Sequence, residues 1–430
     1  MPFGTGSYDE TTAVNILALT DVVPYPPNTG IKIRTYNTLR QLSLRGHRVF
    51  LVCFNHRVLL PDEAAKERSR RALLEDFAEV HILEIPSERN RVSAGLLRVY
   101  SVFGREPYRV YRYSSAECRT LVRGIVSRTP IDLIHLDKTE LFPYAALAPG
   151  VPAVATNHNV ESVLFRRRAE REVTAFRRAF ARIQARRTAA YERRVLQGMP
   201  AYIACTPVDA ETFRRDLGIT SRSVVIDNGV DTAHYRPLEG PKGDYVLLIG
   251  AQSREATANY DATMWFYREI WPAIRQGNAR VGLRIVGRNP DQTVLDLARQ
   301  DPRVTISGFV DDEREVLGRA RLLLVPLRVG GGSRLKILTS MAMGTAVVST
   351  TIGAEGIECR PAEDIAIGDT PSAFAAQTLR LFEDEAVRAA MQEKARALVE
   401  SVYDWTVIGA KLDDLYCGLV RDCTGAAAIG

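Results

Sequence analysis

The chain has 430 residues, 46% hydrophobic and 25% charged, proportions that exclude a collagen-like, low-complexity or wholly disordered protein. Lys and Arg number 57 against 51 Asp and Glu, a formal net charge of +6. Such an excess points to an anionic partner only where it clusters. At about 150 residues per domain the length predicts two or three domains. No apolar run approaches the roughly 18 residues of a membrane-spanning helix. Residues 1–13 are polar and lack the basic start and apolar stretch of a signal peptide, so they are read as a disordered tail on a cytoplasmic protein. The six cysteines (Cys53, Cys118, Cys205, Cys359, Cys417 and Cys423) show neither CxxC nor metal-ligand spacing, and are read as buried or free thiols.

In chain order, residues 14–19 form the first predicted strand. A turn-rich loop follows with Pro24, Pro26, Pro27, Asn28 and Gly30, then a helix over 31–45, closed by Gly46-His47, and a strand over 48–54. Further strands are predicted at 79–83, 133–136, 153–156 and 201–204. A second series comprises 245–249, 282–286, 304–307, 322–326 and 346–349, with helices over 260–275 and 335–343. Short apolar runs alternating with amphipathic stretches are the pattern of βαβ units and parallel sheets. The fold class is therefore α/β, with two serial Rossmann-like halves and a connection near Pro207. The final helices end near Arg421, and 424–430 is read as loose. Ligands of open parallel sheets bind beyond the carboxyl ends of the strands, so two such domains facing each other would hold a ligand in the cleft.

Several segments could carry chemistry. Gly30 ends the first βα loop, where a glycine lets backbone N–H groups approach a phosphate at a helix start; an ordinary turn glycine is the bland alternative. The run Val325-Pro326-Leu327-Arg328-Val329-Gly330-Gly331-Gly332-Ser333-Arg334-Leu335-Lys336 takes a buried-type strand through three glycines into a helix. Arg334 and Lys336 in the first turn oppose the helix dipole, and a bound diphosphate would cancel that disadvantage. A plain loop with two surface cations is the alternative. Phe309, in Ser307-Gly308-Phe309-Val310, could stack on a nucleobase while Val310 backbone groups read its edge, or could simply be core. His158 follows a strand among Thr156, Asn157 and Asn159, the setting of a site histidine; His135 is a weaker candidate, and His47, His56, His81 and His234 read as turn or strand-edge residues.

Residues 163–198 hold eleven arginines against Glu170, Glu172 and Glu192. As one basic amphipathic helix this stretch could lie on anionic lipid, or be a solvated face. A second basic-aromatic stretch, 89–113, adds Leu96, Leu97, Val99, Tyr100 and Phe103 near Arg98, Arg105, Arg109 and Arg112. No nucleic-acid module is recognised, and none is expected as a partner. GxSxG, HExxH, EF-hand loops and a GxGxxG at the first βα turn are all absent.

The ordered series of Pro24–Gly30 with Arg34, Arg45-Gly46-His47, Asn157-His158-Asn159-Val160-Glu161-Ser162, Asp227-Asn228-Gly229-Val230-Asp231, Ser307–Val310, Gly330–Lys336, the segment 341–349 and Gly353-Ala354-Glu355-Gly356 resembles the family 4 retaining glycosyltransferases of the GT-B fold. The nearest likeness is to an exopolysaccharide-type subgroup with a GGGxRLK loop. The resemblance covers about residues 14–420. It implies an acceptor-side domain over 14–207, completed by a C-terminal helix at 404–422, and a donor domain over 208–403. It implies a nucleoside-diphosphate sugar as co-substrate, a glycan, glycolipid or small-molecule acceptor, no further cofactor and no metal. Retention would come from front-face attack, with the leaving phosphate taking the acceptor proton. By the same resemblance His158 contacts the transferred sugar, Gly30 lies by the donor phosphates, and Phe309 and Val310 touch the base. Arg334 and Lys336 neutralise the diphosphate beside Gly331, Gly332 and Ser333. Peripheral contact with the inner face of the plasma membrane through the 163–198 helix is a further expectation.

Two departures stand out. The family's Glu-x7-Glu pair falls on Gly331 and Thr339, and the subgroup's usual ribose-binding glutamate is thus a threonine. Exchanging a charged hydrogen bond for a neutral one costs on the order of 1–3 kcal/mol. Of the family's Arg and Lys after the 245–250 strand, only Arg254 is available, out of register. A non-catalytic nucleotide-sugar-binding or scaffold protein is therefore the alternative reading, and an epimerase on the same fold a minor one.

Overall fold

A computed structural model describes residues 13–88, 91–171, 174–254, 257–310, 312–329 and 335–427. The predicted tail at 1–13 lies outside them except for Ala13. The chain divides into two compact units: unit 1 runs to Ile226 and resumes at Gly409, and unit 2 is Asp227–Ile408.

Unit 1 is built on a seven-stranded, all-parallel sheet: β1 Asn15–Thr20, β2 Arg48–Asn55, β3 Glu79–Glu84, β4 Leu133–Leu136, β5 Ala153–Asn157, β6 Ala201–Ala204 and β7 Ser223–Val225, in the order β3-β2-β1-β4-β5-β6-β7. Unit 2 has a six-stranded parallel sheet: β8 Tyr245–Ile249, β9 Gly282–Val286, β10 Val304–Ser307, β11 Leu322–Val325, β12 Ala346–Ser349 and β13 Ala366–Ile367, in the order β10-β9-β8-β11-β12-β13. β1 pairs Ile16 with Val49 on one side and with Leu133 on the other. Five of the six residues of β1 are buried, as are all of β4, β6, β11 and β12. That double-sided burial explains why these strands read as unbroken apolar runs.

The unit boundary lies beyond the expected Pro207. β7 pairs with β6 through Tyr202↔Ser223, Ile203↔Val224 and Ala204↔Val225, which keeps the Pro207–Leu217 helix in unit 1 as the crossover of a βαβ unit. That helix has full punctuation: the Thr206 side chain accepts from the Asp209 N–H, proline stands in the first turn, and Gly218 ends it at φ 64. The arginine-rich stretch is not one helix. It forms two, Glu161–Arg171 and Ala175–Gln197, which pack on each other and bury Ala181, Gln184, Thr188, Tyr191 and Val195. The predicted helix over 260–275 is likewise composite, an α-helix Thr257–Trp265 passing through a π-helical turn at Phe266–Ile270 into Trp271–Gly277.

The final helix, Trp405–Ala427, runs past the expected end near Arg421, so 424–427 are helical rather than loose. Its unit 1 portion is tied down by Asp413, which faces His47 Nε2 at 2.7 Å, and by Tyr416, whose hydroxyl meets His135 Nδ1. The Val14 N–H donates to His47 Nδ1, so Nε2 carries the proton and donates to Asp413. Cys417 completes a close trio with these two, but an imidazole already accepting at one nitrogen and donating at the other is a structural clasp, not a metal ligand. The cysteines are free thiols, Cys423 being exposed and Cys359 half-buried.

Candidate active site

In each sheet the strand order reverses once, between β1 and β4 in unit 1 and between β8 and β11 in unit 2. Such switch points open a crevice at the carboxyl ends of the strands.

In unit 1 the residues that leave those ends are charged and buried. Asp21 follows β1, Asp137 and Lys138 follow β4, and His158 follows β5. His158 Nε2 lies 3.0 Å from Asp137 Oδ1. The Thr35 hydroxyl, on the helix Gly30–Leu44, donates to Asp137 Oδ2 at 2.6 Å. Burial alone would lower the His158 pKa, but the Asp137 carboxylate outweighs it and pushes the imidazole up to about 9. His158 is therefore an imidazolium held in one orientation. Asp137, despite burial, is held below the usual carboxylate range by His158 and His135.

A second layer neutralises the rest. Lys138 Nζ is 3.0 Å from Asp21 and 3.4 Å from Glu161. Arg109, from the short helix Tyr108–Arg112, reaches Glu161 at 2.7 Å, Glu140 at 2.8 Å and Asp21 at 3.5 Å. Burial disfavours the Lys138 ammonium, yet Asp21, Glu161 and Glu140 together outweigh that and raise its pKa. Glu192 accepts the backbone N–H groups of Glu161 (2.9 Å) and Ser162 (3.3 Å), the open start of the helix Glu161–Arg171. Its own burial, with Glu140 and Glu161 nearby, pushes its pKa up to about 8. One oxygen of Asp21, Oδ1, is buried and has no hydrogen-bond partner among the described residues. A fixed imidazolium, a carboxylate with spare acceptor capacity and an ammonium at one strand edge are suited to holding the hydroxyls of a sugar.

In unit 2 the switch point is organised by Lys336, on the helix Leu335–Ala342. Its ammonium donates to the Ile249 carbonyl at the end of β8 (2.7 Å) and to Asn259 Oδ1 (2.9 Å). Just past β8, Gly250 has φ +142, and a Cβ on Gly287 would sit 1.7 Å from the Gly250 carbonyl oxygen. Only glycines allow the ends of β8 and β9 to approach so closely. Phe309, past the end of β10, is 57% exposed, with the Arg288 guanidinium 4.2 Å from its ring centre. An exposed aromatic carrying a cation is a surface on which a planar base can stack.

The other candidates fall as follows. Gly30 is the first residue of its helix, and the N-cap Thr29 makes no side-chain capping bond there. Val310 is half-buried against the unit 2 core. Arg254 is engaged by Asp291 at 3.0 Å and lies 6.0 Å from the Tyr260 ring. Thr339 is buried, and its hydroxyl bonds back to the Leu335 and Lys336 carbonyls at 3.1 and 3.2 Å. Gly331, Gly332, Ser333 and Arg334 lie outside the described residues. The structure thus gathers His158 with Asp137 in unit 1, and Lys336 with the β8 end in unit 2. Asp21, Asp137, Lys138, Glu140, Glu161 and Glu192 were not singled out as site residues from the sequence, nor was Arg109 placed there. The position of Asp21, Asp137 and Lys138 immediately after buried strands was the signal available.

Two family profiles match: Glycosyltransferase Family 4 over residues 28–234, and Glycosyl transferases group 1 over residues 244–384. Between them they take in most of the chain. It belongs to the family 4, group 1 glycosyltransferases. A curated relative, the GDP-mannose-dependent monoacylated alpha-(1-6)-phosphatidylinositol monomannoside mannosyltransferase of Corynebacterium glutamicum, is 24% identical over 221 residues, 50% of this chain and 52% of that protein. The match thus spans about half the length of that relative. Among solved structures, a glycosyltransferase from Rickettsia africae has a TM-score of 0.65 at 13% identity, covering 95% of this chain and 99% of its own. Sucrose-phosphate synthase from Thermosynechococcus elongatus follows at 0.64 and 16%, covering 95% and 100%. Anabaena HepE in complex with UDP scores 0.63 at 15%, covering 94% and 100%. These likenesses establish the fold: two Rossmann-like units of the GT-B glycosyltransferase type. No helix among the described residues is long and apolar enough to cross a membrane.

Proposed function

We propose that this glycosyltransferase moves a sugar, with retention at the anomeric carbon and without a metal, from a nucleoside-diphosphate sugar to a glycan, glycolipid or small-molecule acceptor. The observation that carries the reading is the pair of charged switch points, an imidazolium fixed by Asp137 in unit 1 and an ammonium fixed at the β8 end in unit 2. In this reading Lys336, with Arg334, takes the charge that develops on the leaving diphosphate, the work a metal does elsewhere. Phe309 with Arg288 receives the base, and Gly30 lies by the donor phosphates. His158 and Asp137 hold sugar hydroxyls while the anomeric carbon–oxygen bond to the diphosphate breaks. The acceptor oxygen bonds the same carbon from the same face, and its proton passes to the departing phosphate oxygen. HepE structures with UDP and UDP-glucose, and the GDP-mannose named for the Corynebacterium relative, make uridine and guanosine diphosphate sugars the first donors to try. Peripheral contact with an anionic membrane belongs to the acceptor side of the same proposal.

The test is a thermal-shift panel of UDP, GDP, ADP, CDP and dTDP, followed by donor consumption with the best sugar conjugates. A ligand at about 100 times its Kd stabilises by roughly 2.7 kcal/mol, a readable shift. One nucleotide should stand out and its sugar should be consumed. No shift and no consumption with any donor would sink the proposal. The second reading, a binding protein without turnover, is favoured by one observation: the Thr339 hydroxyl is spent on its own helix, leaving no carboxylate there for a ribose. Nucleotide binding without turnover, restored by Thr339→Glu, would support it.

A further inference from the structure

We propose that unit 1 docks on an anionic lipid bilayer through the outer face of the helix Arg91–Phe103, rather than through the arginine-rich stretch alone. On that helix Leu96, Val99, Tyr100 and Phe103 recur at i, i+3, i+4 and i+7 and are 66%, 58%, 58% and 82% exposed. Ser101, on the opposite side, is buried. Two more exposed apolar residues stand on segments that contact this helix or the residues just before it. Val58, 92% exposed, sits in the loop after β2, whose Arg57 N–H donates to Glu88 just before the helix begins. Phe176, 80% exposed, opens the helix Ala175–Gln197. That second helix touches the end of the stripe helix: Gln184 Nε2 donates to Ser101 Oγ at 3.4 Å, and Arg187 donates to the Ser101 and Val102 carbonyls, the latter at 2.7 Å. Phe176 lies one turn before Phe180, which packs on Tyr108, so the two phenylalanines share a face of the second helix. Four of the fifteen large hydrophobics exposed in the described residues thus fall on one face of one helix, which marks an interaction surface.

Charge selects the occupant. Arg98, Arg105 and Arg177 are exposed and form no ion pair among the described residues, while Glu106, the acidic residue beside Arg105, is taken by Arg194. Arg182 and Arg186, further along the second helix, are also exposed and form no ion pair among the described residues. A second copy of this chain would set the same arginines against themselves. An anionic headgroup layer accepts them, while Leu96, Val99 and Phe103 enter the acyl boundary and the arginine stems snorkel. The helix Tyr108–Arg112 links this face to the buried charge cluster, since Arg109 belongs to the cluster and Arg112 pairs with Glu88. Docking would therefore bring the strand-end edge of unit 1 close to molecules anchored in the lipid. The proposal stands independently of the donor reading, because vesicle binding needs no nucleotide.

The experiment is flotation of the full chain with phosphatidylcholine vesicles, with and without phosphatidylglycerol, at low and high salt. The wild type should float with anionic vesicles at least about tenfold more than with neutral ones, and lose most of that in high salt. Leu96→Ser with Phe103→Ser should cut partitioning about tenfold while leaving the melting temperature unchanged, since both side chains face solvent. Arg177→Glu should weaken binding to anionic vesicles only. A Phe103→Trp variant should shift its emission to the blue on anionic vesicles; the native tryptophans, Trp265, Trp271 and Trp405, all lie in unit 2. The proposal is overturned if the wild type stays out of anionic vesicles at low salt, if the double variant floats unchanged, or if light scattering shows a dimer that the double variant converts to monomer.

Discussion

The two switch points use charge in opposite ways. In unit 1, Asp21, Asp137, Lys138, His158, Arg109, Glu140 and Glu161 form a dense buried network in which almost every charge answers another. In unit 2, Lys336 is oriented by a carbonyl and an amide, and Phe309 stands open to solvent. A network closed on itself is stiff and preorganised, and it fails as a unit. Lys336 is aimed by two neutral acceptors and also acts on the Glu313 carboxyl. The first arrangement suits recognition of a neutral, many-hydroxyl molecule, and the second suits an anion.

That contrast can be broken. The largest effect is expected from Arg109→Ala, which strands Glu140 in the interior of unit 1 and leaves Glu161 only Lys138. Removing one partner of a buried ionic network costs about 3–5 kcal/mol, read as a fall in denaturant midpoint; a loss below about 1 kcal/mol would show the network to be solvated. Lys336→Ala should leave the fold standing but lower kcat by roughly 10²–10³-fold, the scale of losing one preorganised charge donor. His158→Gln should lower turnover without abolishing the nucleotide-induced thermal shift, and equal loss of both in the two variants would erase the assignment of separate roles.

The pH dependence sharpens the comparison further. The His158 pKa is raised to about 9, so its stabilisation is complete below its ordinary value and is lost as the pH climbs through 9, on the order of 3 kcal/mol in all. Glu192, raised to about 8, works in the same direction, because its folded form also holds a proton that the unfolded chain releases. The melting temperature should therefore fall from about pH 4.5, where Glu192 begins to contribute, to about pH 9, and Asp137→Asn should flatten the part above about 6.5. A wild-type profile level across this window would refute the imidazolium. The smallest effect belongs to Phe309→Ala, which should weaken nucleoside-diphosphate binding by about 1–3 kcal/mol, the worth of one stacked base, as read by calorimetry. Unchanged affinity would return Phe309 to the role of a surface residue.

Much of this architecture was legible. Residues such as those of β1 and β11 are apolar on both faces because both faces are covered, and that leaves an unmistakable run. His158, Lys336 and Phe309 could be nominated as candidates because each stands in a short polar or glycine-rich context after a strand. The boundary at Ile226 was not, because β7 belongs to unit 1 only through its pairing with β6, a contact no local pattern encodes. The buried charge cluster was hidden for a related reason. Asp21, Arg109, Lys138 and Glu161 lie far apart in sequence, and a charged residue in a loop looks solvated until another segment covers it. The arginine-rich stretch misled in the other direction: its periodicity carried through the break between two helices, while the more exposed apolar stripe lay on a shorter, less basic segment.

The last helix has a consequence for how the chain is made. Unit 2 is continuous in sequence, whereas unit 1 recovers Gly409 and everything after it only at the end. On a ribosome, unit 2 can close while the first sheet still lacks the helix that brings Asp413 to His47 and Tyr416 to His135. Until synthesis reaches that helix, His47 and His135 wait without their partners. A segment translated after unit 2 thus seals the unit begun before it, and a nascent chain arrested before Gly409 would carry a finished unit 2 and an unsealed unit 1.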